Sequence, residues 1–151
     1  MPEKATTLPK CKLTPQVRRG EPSDLSAISD IQAASPEAAQ WPSADYLEYD
    51  LHVAVAGSAV VGFLVTRTLA AGESEILNLA VAPECRRQGV ARALLETWIS
   101  AVRGDIFLEV RASNEAAQKF YKSLGFKEFI VRPQYYSSPP ETGIVMNFHS
   151  C

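Results

Sequence analysis

Glu109 stands inside an otherwise apolar run, DIFLEV from Asp105 to Val110. A buried carboxylate is costly to ionise, so such a residue is paired, neutralised or functional; otherwise it reaches water or Arg111 from the strand end. Tyr121, in the segment SNEAAQKFYKSLGF, reads on its own as core filling. Upstream, Arg86-Arg87-Gln88-Gly89-Val90-Ala91 is a short basic turn with small residues at Gly89 and Ala91, and Arg92 follows it. A turn of this kind at a helix start exposes several backbone N–H groups. It is either a phosphate site, with Arg86, Arg87 and Arg92 adding charge, or an ordinary solvated connection.

The elements that would hold these groups are legible from periodicity. Ile76 to Val81 is an apolar run of strand length stopped by Pro83. Val90, Ala93, Leu94, Thr97, Trp98, Ala101 and Val102 repeat at helical spacing after the turn. In the run Asp105 to Val110, Ile106, Leu108 and Val110 share one face, and Phe107 and Glu109 the other. Ser113 or Asn114 caps the next helix, with Glu115 in its first turn and Ala117, Phe120, Tyr121 and Leu124 on one side. Gly125 ends it.

With the order of these motifs in view, Ile76 to Phe126 resembles the acetyl-CoA-binding core of the GNAT N-acetyltransferases, specifically the RimI-type ribosomal-protein-alanine N-acetyltransferases. Arg86, Gly89 and Ala91 meet the family's Arg/Gln-x-x-Gly-x-Gly/Ala pattern, and LEVRASNEAAQKFYKSLGF, Leu108 to Phe126, is similar almost position for position. The similarity is close in the second half of the chain and loose in the first. Ala91 replaces the commoner Gly, and the connection Ala101 to Asp105 is short for the family.

The resemblance implies an α/β GNAT fold: a mixed, strongly twisted sheet of about seven strands, with helices on both faces and acetyl-CoA in a wedge between splayed strands. It implies that Leu79, Ala80 and Val81 hold the pantetheine arm through their backbone, that Arg86, Arg87, Gln88, Gly89, Val90, Ala91 and Arg92 hold the pyrophosphate, and that Asn114 contacts the cofactor. Glu109 then matches the general base and Tyr121 the general acid at sulfur. Trp41, Tyr135 and Tyr136 become walls of an acceptor-peptide slot. The activity implied is direct acetyl transfer to a protein N-terminus, alanine of a small-subunit ribosomal protein being the acceptor. The alternatives are a GNAT enzyme for a small amine or a lysine side chain, and a noncatalytic acetyl-CoA-binding module. A plain nucleotide-binding domain would need a longer Gly-rich pattern and a distal acidic residue, which the sequence lacks.

The remaining sequence bounds these readings. The chain has 151 residues, 46% of them hydrophobic, which fits a flexible tail over residues 1–14 followed by one domain over 15–151. No apolar stretch approaches a membrane span, and the first residues lack a signal peptide's apolar centre, so a cytoplasmic protein is expected. Cys11, Cys85 and Cys151 lack metal-ligand spacing, and reduced thiols and no metal are expected. A net charge of −2 argues against an extended nucleic-acid surface. A monomer or weak homodimer is expected. Nearer the start, Val17 begins a short strand. A helix capped by Ser23 or Asp24 follows, carrying Leu25, Ile28 and Ile31, then a short helix capped by Ser43. Leu51 to Ala56 and Ala59 to Thr68 form a hairpin, Ala70 to Glu75 is a turn, and Lys127 to Pro133 and Gly143 to Phe148 are strands. Gln134 to Pro140 is a loop carrying the two tyrosines.

Overall fold

The computed structural model describes residues 14–137 and 140–150, so the N-terminal tail expectation lies outside the described residues. Ten regular elements follow in order: β1 (Gln16–Arg19), α1 (Leu25–Ala33), β2 (Asp50–Ala56), β3 (Ala59–Ala70), β4 (Glu73–Val81), α2 (Val90–Ile99), β5 (Gly104–Arg111), α3 (Glu115–Ser123), β6 (Lys127–Ser137) and β7 (Pro140–Ser150). The strands form one mixed seven-stranded sheet in the order β1-β2-β3-β4-β5-β7-β6, in which β4 and β5 run parallel. By contact clustering the chain divides into two compact units, 1–65 with 78–97, and 66–77 with 98–151.

In the first unit the hydrophobic core is built from Ile28 and Ile31 of α1, Val53 and Ala54 of β2, Phe63 and Leu64 of β3, and Leu94 and Leu95 of α2, all buried. Each large side chain among them contributes about 1.5–3 kcal/mol relative to an exposed one. The short helix expected after Pro42 is a 3-10 turn, Ser43–Glu48, and Ser43 does not cap it. Its hydroxyl instead accepts from Ser29 Oγ at 2.7 Å. Asp24 accepts the Glu21 N–H at 2.8 Å and two bonds from Arg18 at 2.8 and 2.9 Å, fastening the start of α1 to β1. That pairing holds the Asp24 carboxyl below the ordinary range, chiefly through the bond from Arg18.

The second unit contains the whole of β5, β6, β7 and α3. Strand β4 begins at Glu73, earlier than the apolar run at Ile76. Its polar first residues are held by the backbone ladder Glu73↔Asp105, Ser74↔Ile106 and Glu75↔Phe107, which needs no apolar side chain. The expected turn Ala70 to Glu75 therefore shrinks to Ala71-Gly72. Gly104 (φ 100) lies in the short connection noted above; a Cβ there would lie 2.2 Å from Gly72 O. The expected loop Gln134 to Pro140 is also replaced in part by strand. β6 continues through Ser137, because its pairing with β7 resumes at Tyr136↔Glu141 and Ser137↔Pro140 after an irregularity.

Candidate active site

Glu109 sits on the β5 face shared with Phe107, while Ile106, Leu108 and Val110 are buried on the other face, as the alternation predicted. Its carboxylate divides into two unlike oxygens. Oε1 accepts from Arg132 of β6 at 3.1 Å, whereas Oε2 is buried with no hydrogen-bond partner among the described residues. Glu109 lines a pocket of ≈ 310 Å³ together with Glu75, Phe107, Phe129, Ile130 and Arg132. The Phe107 and Phe129 rings lie 5.8 Å apart on its wall. A buried acceptor oxygen left unsatisfied is costly in a static fold, and such groups in native structures often carry a function.

Tyr121 is 7% exposed and is fixed by the way α3 ends. The Phe126 N–H bonds to Tyr121 O and the Gly125 N–H to Lys122 O, both at 3.0 Å, with Gly125 at φ 103. These are the paired bonds of a Schellman motif, and its usual apolar contact is the edge-on packing of Tyr121 against Phe126 at 5.4 Å. Burial pushes the Tyr121 phenol well above its ordinary value, so it remains an O–H donor. At the other end of α3, Asn114 is the N-cap: its Oδ1 accepts the Ala117 N–H at 3.1 Å. Between Ser113 and Asn114, which the sequence left open, the structure selects Asn114.

In the first unit the basic turn is exposed and carries two left-handed residues, Arg87 (φ 63) and Gly89 (φ 85). A non-glycine residue in that region costs about 1–2 kcal/mol, and such strain concentrates at functional turns. The first helical bond of α2 runs from Ala93 N–H to Gly89 O at 2.9 Å, and the start of a helix is where backbone N–H groups can meet an anion or water. Gln88 donates to Glu84 O at 3.4 Å, Val90 is buried, and Ala91 and Arg92 follow on the first turn. Arg86 differs from the other arginines of the turn. Its guanidinium bonds to Val81 O (3.2 Å), Ala34 O (3.1 Å) and Ser35 Oγ (2.9 Å), which commits it to bracing the turn against the end of α1.

Asn78 interrupts the apolar run of β4 and went unremarked in the sequence. Its Nδ2 donates to Tyr46 Oη (2.9 Å) and Ala39 O (3.0 Å), its Oδ1 accepts the N–H of Leu79 (3.0 Å), and Tyr46 donates to Gln32 Oε1. Gln32 also holds Trp41 O at 2.6 Å. Buried, hydrogen-bonded polar groups of this kind specify one local arrangement. Here they fix the start of Leu79, Ala80 and Val81, of which the last two are buried, and they fix the backbone under Trp41, whose ring is 38% exposed. Tyr136, in the second unit, lies under the Arg111 guanidinium at 4.1 Å, and Arg111 pairs with Glu141 at 3.4 Å. The Tyr135 side chain lies outside the described residues.

Arg132 and Glu75 were the other residues that sequence reasoning missed. Neither belongs to a motif, and only strand register brings them to Glu109. Among the described residues no cluster of side chains could hold a metal ion, and no helix is long and apolar enough to cross a membrane.

The model of the Acetyltransferase (GNAT) family matches residues 23–126. The [Ribosomal protein bS18]-alanine N-acetyltransferase of Escherichia coli (strain K12) is 39% identical over 107 residues, 67% of this chain and 70% of that protein. The crystal structure of the ribosomal-protein-S18-alanine N-acetyltransferase from Escherichia coli superposes with a TM-score of 0.76 at 30% identity, covering 91% of this chain and 94% of that one. Ard1 from Thermoplasma volcanium superposes with a TM-score of 0.83 at 27% identity, covering 92% and 99%. The chain belongs to the acetyltransferase (GNAT) family.

Proposed function

We propose that this enzyme transfers the acetyl group of acetyl-CoA to the N-terminal α-amine of a protein, and that the acceptor is the alanine N-terminus of a small-subunit ribosomal protein. The observation that carries the proposal is the Glu109 carboxylate, with one oxygen held by Arg132 and the other buried and unsatisfied among the described residues, on a residue that lines a pocket. The bS18-alanine acetyltransferase that the chain resembles supports the choice of acceptor.

In this reading Glu109 Oε2 takes the proton as the amine nitrogen forms its bond to the acetyl carbon. The carbon–sulfur bond breaks, and the electron pair leaves on sulfur. Tyr121 Oη donates a hydrogen bond to that sulfur and stabilises the thiolate. Because burial raises the phenol's proton affinity further above a thiol's value of about 8.5, hydrogen bonding is the larger part of its role and full proton transfer the smaller. The turn Arg87 to Arg92 and the backbone of Leu79, Ala80 and Val81 hold the pyrophosphate and pantetheine of acetyl-CoA, with Asn114 near its reactive end. Arg86 serves that turn by bracing it. Trp41, Tyr135 and Tyr136 are the residues we assign to the acceptor peptide.

An α-amine has a pKa of about 7.7–8.0 against about 10.4 for lysine, so a modest base suffices for the first and not for the second. Peptides with varied first residues, presented beside lysine-containing peptides with blocked N-termini, test this by mass spectrometry. Acetyl groups are expected on α-amines of peptides beginning with alanine or another small residue. Acetyl found only on lysines or on a free polyamine would overturn the N-terminal assignment and leave the family unaffected.

A further inference from the structure

We infer that Arg132 is a positioning residue for Glu109: by holding Oε1 it fixes the carboxylate and leaves Oε2 as the proton acceptor. The inference rests on the reading of Glu109 as general base and goes beyond it, since Arg132 belongs to no motif of the chain.

The register shows how the pair is made. Arg132 lies on β6 and Glu109 on β5, with β7 between them. Glu109 is opposite Val145, and Arg111 and Arg132 are both opposite Gly143. Gly143 has no side chain, which leaves the path across β7 open on that face. A β-bulge brings Arg132 to the same face. Pairing steps from Glu128↔Met146 to Ile130↔Val145, so Phe129 is the extra residue. Without it, the period of two would turn Arg132 to the opposite side of the sheet. The bulge also accounts for Phe129 and Ile130 both lining the pocket.

The surroundings make this pair the one that governs Oε2. From β4, Glu75 faces the pocket, but it is neutralised by Arg67 of β3 at 2.7 Å. From β7, the neighbour is the apolar Val145. On β5 itself, Phe107 is apolar and Arg111 is held by Glu141 at 3.4 Å. Arg132 is thus the cation that holds Glu109, at 3.1 Å, with Glu109's side chain 20% exposed and Arg132's 49%. A charge-assisted bond to one oxygen stops the carboxylate's rotation.

The test uses the full chain with an alanine-initiated peptide and acetyl-CoA. Arg132→Met, Arg132→Gln, Arg132→Lys, Glu109→Gln and the Arg132→Met/Glu109→Gln double variant are compared by steady-state kinetics across pH and by thermal melting. Because half of the arginine is exposed, all are expected to fold. Arg132→Met and Arg132→Gln should lower kcat by about tenfold to a hundredfold, the range expected when a catalytic group is misplaced, with the KM for acetyl-CoA within about twofold of the parent. Arg132→Lys should restore most of kcat, and Arg132→Met should add no loss in the Glu109→Gln background. Parental kcat in both Arg132→Met and Arg132→Gln would overturn the positioning role while Glu109→Gln stays impaired. So would an equal loss from Arg132→Met with and without Glu109. Full activity of Glu109→Gln would overturn the base assignment itself, and this role with it.

Discussion

At the residue scale, Glu109 and Tyr121 differ in how they are held, and the difference separates their expected mutant behaviour. Glu109→Gln keeps volume and removes the base. Activity near neutral pH should fall by about 10²- to 10⁴-fold and recover toward high pH, where the α-amine deprotonates unaided, while acetyl-CoA affinity stays constant. A pH–rate series with calorimetric binding checks both halves. Tyr121→Phe keeps the ring that packs against Phe120 and Phe126 and removes only the hydroxyl. It should melt close to the parent and lose turnover on the order of 100-fold. Tyr136 is less separable. Its ring already contacts Arg111, so Tyr136→Ala removes a cation–π contact of about 0.5–1 kcal/mol along with any acceptor contact. The peptide KM should rise more than the acetyl-CoA KM.

At the scale of elements, two glycines serve by conformation and can be told apart. A Cβ added at Gly89 (φ 85) would meet nothing within 4 Å, so Gly89→Ala incurs only backbone strain of about 1 kcal/mol. Its main effect should be a raised acetyl-CoA KM, because the turn it shapes presents the helix N–H groups. Gly125 (φ 103) is strained in the same way, and its Cβ would also lie 3.0 Å from the Phe148 ring. Gly125→Ala should therefore cost about 2 kcal/mol and loosen the motif that fixes Tyr121, lowering Tm and kcat together. Denaturant melts paired with kinetics on both variants distinguish loss of binding from loss of structure.

For the whole molecule, stability should depend on ligand and on pH in set directions. Saturation with acetyl-CoA at about 100 times its Kd stabilises the fold by about 2.7 kcal/mol, or roughly 5–10 °C in Tm for a chain of this size. Dephosphorylated pantetheine should give much less; an equal shift would remove the turn's assignment as a phosphate site. The Asp24 carboxyl, lowered in the fold by Arg18, contributes stability that is present above its unfolded value of about 3.9 and is lost as pH falls through the lower folded value. Asp24→Asn should cost about 2 kcal/mol at pH 7, with the difference from the parent closing below pH of about 4. Tyr121 and Tyr46 are both raised by burial, so their protonated contribution is complete below about pH 10 and is lost as pH climbs beyond it.

What the sequence determined by itself is local in range. Periodicity placed Ile106, Leu108 and Val110 on one face of β5 and Glu109 on the other; the Gly125 stop and a cap at Ser113 or Asn114 bounded α3; and the resemblance carried by Leu108 to Phe126 named the family. These signals lie within one element, where spacing alone sets direction. The tertiary structure decided what depends on pairing between distant segments. It extended β4 back to Glu73 through a backbone ladder that polar residues join as readily as apolar ones, and it carried β6 through the tyrosines that had read as loop. It committed the Arg86 guanidinium to bracing carbonyls, and it tied Asn78 to Tyr46. Above all it joined Arg132 to Glu109 across β7, a meeting set by one bulged residue and one glycine, whose effect on register no reading of a single strand contains.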